Sequence, residues 1–142
     1  MKAISLWQPW ASLVAFGEKK VETRGWSTKY RGRLVIHAAQ SIPRWVGESR
    51  NSQDFHDAMM KIAKANGIFD QGMPKGVVLC TAELVAIETT EKVRGDLSRQ
   101  ELLFGNYEDG RYAWFLESVK RIDPPIPAKG NRMLWNWEEQ AA

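Results

Sequence analysis

Polar and apolar residues alternate from Lys2 to Leu6, as in a short strand with one buried face. Gln8-Pro9 then breaks the pattern, with proline at a suitable first helical position. Pro9 to Phe16 is apolar almost all round, with only Ser12 polar, and Gly17 stands where a left-handed C-terminal cap is wanted. The pattern predicts a short buried helix.

Two strand-like runs follow, Lys20 to Arg24 and Arg33 to Ala38, joined by the polar, aromatic and glycine-punctuated segment Gly25 to Gly32. Farther on, Trp45, Phe55, Met59, Ile62 and Ala63 recur at helical spacing. Asn66-Gly67 makes a stop, and Gly47 to Gln53 interrupts the pattern, so the longer helix is expected over 52–65. Gly76 to Glu88, dense in β-branched residues, reads as a central strand. Residues 89–110 are charged and turn-rich. Tyr112 to Val119 is a further strand, Pro124, Pro125 and Pro127 argue against regular structure after it, and Met133 to Trp137 is a last short strand. Short strands with inserted helices, without regular strand–helix alternation, imply a mixed α+β or barrel architecture, and 142 residues without a linker imply one domain over 1–142.

Composition narrows the function classes. One cysteine, Cys80, and two histidines exclude a disulfide framework and Cys-rich zinc sites, and no cofactor is expected. No apolar run approaches a bilayer span, and Met1 to Leu6 does not resemble a leader, so the expectation is a cytoplasmic protein that does not engage a membrane. Net charge is +3, but residues 1–50 hold nine Lys/Arg against three Asp/Glu, while the remainder holds eleven against fourteen. The basic N-terminal third favours a polyanionic partner.

The run Gly17-Glu18-Lys19-Lys20-Val21-Glu22-Thr23-Arg24 has the form G-x-K-x-x-E-x-R and follows Gln8-Pro9-Trp10-Ala11. Tyr30-Arg31-Gly32 precedes Leu34-Val35-Ile36-His37-Ala38, and Leu134-Trp135 lies near the C-terminus. In these positions and this order the chain resembles the ASCH domain, one of the PUA-like RNA-binding barrels. The resemblance implies a β-barrel, an adjoining basic cleft lined by the motif, and RNA or a nucleobase derivative as ligand. It does not imply one reaction.

In a regular strand Lys20, Glu22 and Arg24 share one face, and Lys19, Val21 and Thr23 the other. Lys19 and Glu22 therefore converge only if Lys19 sits in the turn after Gly17 or the strand carries a bulge. In the functional reading Arg24 offers a planar fork to a phosphate or base edge, Lys19 a compact cation, and Glu22 an acceptor that also orients Arg24. In the structural reading Glu22 and Arg24 are a surface ion pair and Lys19 is solvated. Trp26 and Tyr30, interleaved with Lys29, Arg31 and Arg33, are stacking candidates for unpaired bases, whereas Trp10 reads as core.

Gln8 is a poor helix cap and either reads a ligand or caps a loop; His37 is either a satisfied structural histidine or a catalytic one. Lys129-Gly130-Asn131-Arg132 is a basic loop, either phosphate-binding or solvated. Cys80 lies in an apolar strand and reads as core. None of Ser5, Ser12, Ser27 and Ser41 lies in a nucleophile elbow.

The main expectation is an RNA- or nucleobase-binding domain. The alternative is a small metal-independent hydrolase of modified nucleosides or RNA, with Lys19 and Glu22 catalytic. One branch resembling this family removes acyl groups from a modified pyrimidine nucleoside with a motif lysine, a threonine where this chain has Glu22, and a glutamate elsewhere. Here Thr23 is one residue off and faces the other way. For RNA cleavage, Lys19, Glu22, Tyr30 and His37 are the available acids and bases.

Overall fold

The computed structural model describes residues 1–43, 52–70 and 72–139. Trp45 and residues 47–51 of the interruption expected over Gly47 to Gln53 lie outside them, while Ser52 and Gln53 are helical.

The described elements run β1 (Lys2–Leu6), α1 (Trp10–Ala15), β2 (Val21–Arg24), β3 (Gly32–Ala38), α2 (Ser52–Asn66), β4 (Val77–Thr89), α3 (Thr90–Val93), a 3-10 turn (Arg94–Asp96), α4 (Arg99–Leu103), β5 (Tyr112–Pro127) and β6 (Trp135–Asn136). Six strands form one sheet in the order β2-β5-β4-β3-β1-β6. Among the described strands only β1 and β3 pair in parallel, with Ala3 opposite Val35 and Leu6 opposite Ala38.

This is a mixed α+β fold, but the sheet is not closed into a barrel. Closure would require the outer strands to pair with each other. Instead β2 pairs only with β5 and β6 only with β1, so both remain edges at opposite ends of the order.

The apolar faces of β1, β3 and β4 meet α1 in a core that holds Ile4, Leu6, Val14, Leu34, Ile36 and Trp114. Each such side chain contributes about 1.5–3 kcal/mol on burial. On α2 the buried positions Phe55, Met59 and Ala63 recur every fourth residue, one stripe of a helix, and pack with Leu13 and Phe104 in a second cluster. Trp10 joins that cluster with its ring 5.4 Å from Phe55, as a core residue does. Cys80 is fully buried, and burial pushes its thiol up to about 12.

Pro124 and Pro125 do not end β5, which runs on to Pro127. Its pairing with β4 steps from Arg121 opposite Cys80 to Ile126 opposite Val78, so residues 122–125 bulge beside Leu79 alone. Within a bulge the missing N–H groups of Pro124 and Pro125 remove no ladder bond. Residues 89–110, expected as turns, contain α3 and α4. Ser98 caps α4 by accepting from the Glu101 N–H at 3.1 Å, the first half of a capping box. Among the described residues no helix is long and apolar enough to cross a membrane.

Candidate functional site

The motif begins at the end of α1. Gly17, at φ 78°, takes the left-handed position, with its N–H on the Val14 carbonyl and that of Glu18 on Leu13. This Schellman closure turns the chain sharply, and the Lys19 N–H also reaches the Leu13 carbonyl at 3.1 Å. Lys19 therefore stands in the turn before β2, outside the strand's alternation.

From there its side chain runs inward. Lys19 is fully buried, and its ammonium donates to the carbonyls of Val21 at 2.5 Å and Phe104 at 2.8 Å. It lies 3.7 Å from Glu22 Oε1, while Glu22 Oε2 is 3.5 Å from Arg24 Nη1. A buried ammonium loses hydration, so Lys19 is pushed below its ordinary value, against the raising pull of Glu22 and Glu101. Of the two readings of the motif, the one with a solvated Lys19 is thus excluded, and the Glu22–Arg24 pair is largely covered, with Glu22 8% exposed.

Arg24 continues outward, its guanidinium 5.7 Å from the centre of the Trp26 ring. Trp26 is half-buried, packed edge-on against Trp114 at 4.8 Å, so part of its ring belongs to the core. Lys29, Arg31 and Arg33 are exposed beyond it. Arg31 donates to the Thr28 and Tyr30 carbonyls, Arg33 approaches Glu83 at 4.0 Å, and the Tyr30 hydroxyl donates to the Arg33 carbonyl. The motif and the cationic-aromatic segment form one continuous run from buried ammonium to open surface.

Two candidates sit elsewhere. Gln8 is fully buried: its amide oxygen accepts from the Ser12 N–H at 3.0 Å, and its nitrogen donates to Ser12 Oγ and to the Pro74 carbonyl. It caps α1 and a neighbouring loop together. His37 is 1% exposed, with Nδ1 2.9 Å from Ser5 Oγ and Nε2 2.8 Å from the Ala128 carbonyl. A carbonyl only accepts, so Nε2 carries the proton and Nδ1 receives the Ser5 hydroxyl. Trp135 Nε1 donates to the same oxygen at 3.2 Å. Burial lowers the pKa of His37, outweighing the Ala128 bond, which raises it.

His37 lines a cleft of about 600 Å³ with Ser5, Gln40 and the Ala128–Arg132 loop; no residue of the motif lines it. Sequence reasoning missed the Ser5–His37 pair, which only the parallel β1–β3 register brings together. It also missed Glu101 and Tyr107 behind Lys19. Glu101 Oε1 accepts from the Lys20 N–H at 2.7 Å, while Glu101 Oε2 and the Tyr107 hydroxyl are buried with no hydrogen-bond partner among the described residues. Burial, then Glu101 and Glu22, push the Tyr107 phenol above its usual range. Ser98-x-x-Glu101, a capping-box spacing, was the signal that locates α4.

The model of the ASCH domain matches residues 4–126. Activating signal cointegrator 1 of Homo sapiens is 26% identical over 141 residues, and the Mus musculus protein is 26% identical over 143; each match takes in 96% of this chain. The chain spans only 22% of the length of these relatives. Among solved structures, that of ASCH from Zymomonas mobilis superposes with a TM-score of 0.56 at 20% identity, covering 98% of this chain and 87% of that one. A mutant of the same protein gives 0.54 at 19% identity, with 98% and 90% covered.

Proposed function

This chain belongs to the ASCH domain family, and from that premise we propose that it acts as one domain that binds single-stranded RNA, or a nucleobase derivative, on the face running from Arg24 to Arg33. The observation that carries the reading is the Arg24–Trp26 pair. A guanidinium lies over an indole at 5.7 Å and is held from below by Glu22 at 3.5 Å. A phosphate reaches such a cation while a base stacks on the exposed part of the ring. Lys29, Arg31 and Arg33 extend the positive surface along a strand of RNA.

Burial of Lys19 supports binding over hydrolysis. Its ammonium is committed to two carbonyls and a carboxylate, and a hydrolase in which Lys19 and Glu22 handle protons requires it to leave Val21 and Phe104 first.

A fluorescence-anisotropy titration of a short unstructured RNA tests the reading. Affinity falls steeply as salt rises, and Lys29→Ala/Arg31→Ala/Arg33→Ala together weaken binding by about tenfold or more while lowering the salt slope. Glu22→Gln weakens binding by about 1–3 kcal/mol through the loosened Arg24. A flat salt dependence, or unaltered affinity in the triple variant, overturns it.

A further inference from the structure

The cleft beside His37 is built from parts the RNA-binding face does not use. Its floor is small and apolar, formed by Ala39, Ala128 and the Gly130 backbone over the closed Ser5–His37 pair. On its rim stand the exposed side chains of Gln40, Lys129, Asn131 and Arg132. Neither Lys129 nor Arg132 makes an ion pair among the described residues. Its volume of about 600 Å³ falls within the range of small-molecule sites.

The loop is held in place rather than draped. A Cβ on Gly130 would lie 2.6 Å from both Ser5 Oγ and His37 Cε1, so only glycine lets the backbone rest on that pair. Two residues earlier, the Ala128 carbonyl accepts from His37 Nε2. With Ala128 and Gly130 both seated on His37, the intervening Lys129 and the nearby Arg132 are presented at the mouth of the cleft. Asn131 Oδ1 is turned back to the Arg132 N–H at 2.8 Å, which stiffens the turn.

We propose that this cleft binds a nucleotide through its phosphate monoester, with the phosphate between Lys129 and Arg132 and the base on the Ala39–Ala128 floor. Two unpaired cations on one short loop match the near-double negative charge of a monoester at neutral pH. An apolar floor suits the face of a flat ring better than it suits a bare anion, and the neutral amides of Gln40 and Asn131 match the donors and acceptors at a base edge. Among the described residues no acidic side chain lines this cleft to oppose the phosphate. The monoester is carried either by a free mononucleotide or by the phosphorylated end of an RNA. Because the cleft shares no residue with the Arg24–Arg33 face, the two readings stand or fall separately.

The test uses AMP, GMP, CMP and UMP as probes, followed by calorimetry and by backbone amide shifts. The matching nucleosides and inorganic phosphate are the controls. At least one mononucleotide is expected to bind and to move the amides of Gln40 and residues 128–132. Its nucleoside should bind about tenfold more weakly or worse, and Lys129→Ala/Arg132→Ala should lose about tenfold or more, as removing charged hydrogen bonds requires. The Lys29, Arg31 and Arg33 variant should bind the mononucleotide as the unaltered chain does. A 5′-phosphorylated RNA that outcompetes its 5′-hydroxyl twin by the same factor identifies an RNA end as the source; equal competition identifies the free nucleotide. No binding of any mononucleotide at millimolar concentration overturns the proposal, as do equal affinity for nucleoside and nucleotide, and full binding by the Lys129/Arg132 variant.

Discussion

Lys19 Nζ lies 3.7 Å from Glu22 Oε1, although strand alternation would send the two side chains to opposite faces. The Schellman turn at Gly17 resolves this by leaving Lys19 outside β2. The ammonium then binds the end of α4 to the start of β2, through the Phe104 and Val21 carbonyls.

Replacing Lys19 with Met keeps the length of the side chain but leaves two carbonyls without their donor and removes one of the two cations beside the mostly buried Glu22. Lys19→Met is expected to lower stability by about 3 kcal/mol, the scale for removing one partner of a buried pair. Urea unfolding measures it. A loss under about 1 kcal/mol would mean that desolvating the ammonium already offsets its bonds.

His37 gives a pH dependence of definite sign. Its folded pKa lies below 6.5, so under acid the unfolded chain binds the proton more readily than the folded one. Its contribution to stability is complete above pH 6.5 and is lost as pH falls below that value, at no more than about 1.4 kcal/mol per pH unit. An NMR titration should place the ring below 6.5, and His37→Gln should flatten the stability profile between pH 6.5 and 5. Titration at or above 6.5 contradicts the burial argument.

Gly130 is needed for space, not for backbone conformation, since its φ is outside the left-handed region. Gly130→Ala is expected to cost about 1–3 kcal/mol by overpacking against Ser5 and His37. It should also displace the loop, visible as shifted amides at Lys129 and Arg132. An unchanged melting temperature with unchanged amides would show that the loop yields freely.

Much of the sheet was legible because its signals are local. Lys2–Leu6 alternates and is a strand with those limits; the stripe Phe55, Met59, Ala63 placed α2 to within a residue of its end. The rest depended on partners remote in sequence. Pro124 and Pro125 read as terminators, since nothing nearby reveals that β5 bulges at these residues against Leu79 of β4. For Lys19 the choice between a cleft cation and a solvated one stayed open, because a lysine in a polar turn gives no hint of the Phe104 carbonyl 85 residues away. For the same reason Ser5 and His37 looked unrelated until β1 and β3 were set side by side. A loop cap was among the alternatives for Gln8, which read as a poor helix cap; its amide nitrogen does reach the Pro74 carbonyl, but its oxygen also takes the Ser12 N–H of α1.

The position of β1 between β3 and β6 has a consequence for how the chain is made. During synthesis β1 leaves the ribosome first and β6 last of the strands, so Lys2 and Ala3 wait through more than 130 residues for Asn136 and Trp135. Until then a strand carrying Ala3, Ile4 and Leu6 keeps one open backbone edge, a template for another nascent chain. The two residues of β6 close that edge, together with the adjoining Met1–Trp137 backbone pair. Ribosome-bound chains stopped before Trp135 should therefore be the species that associates, and those extended past Trp137 the species that does not.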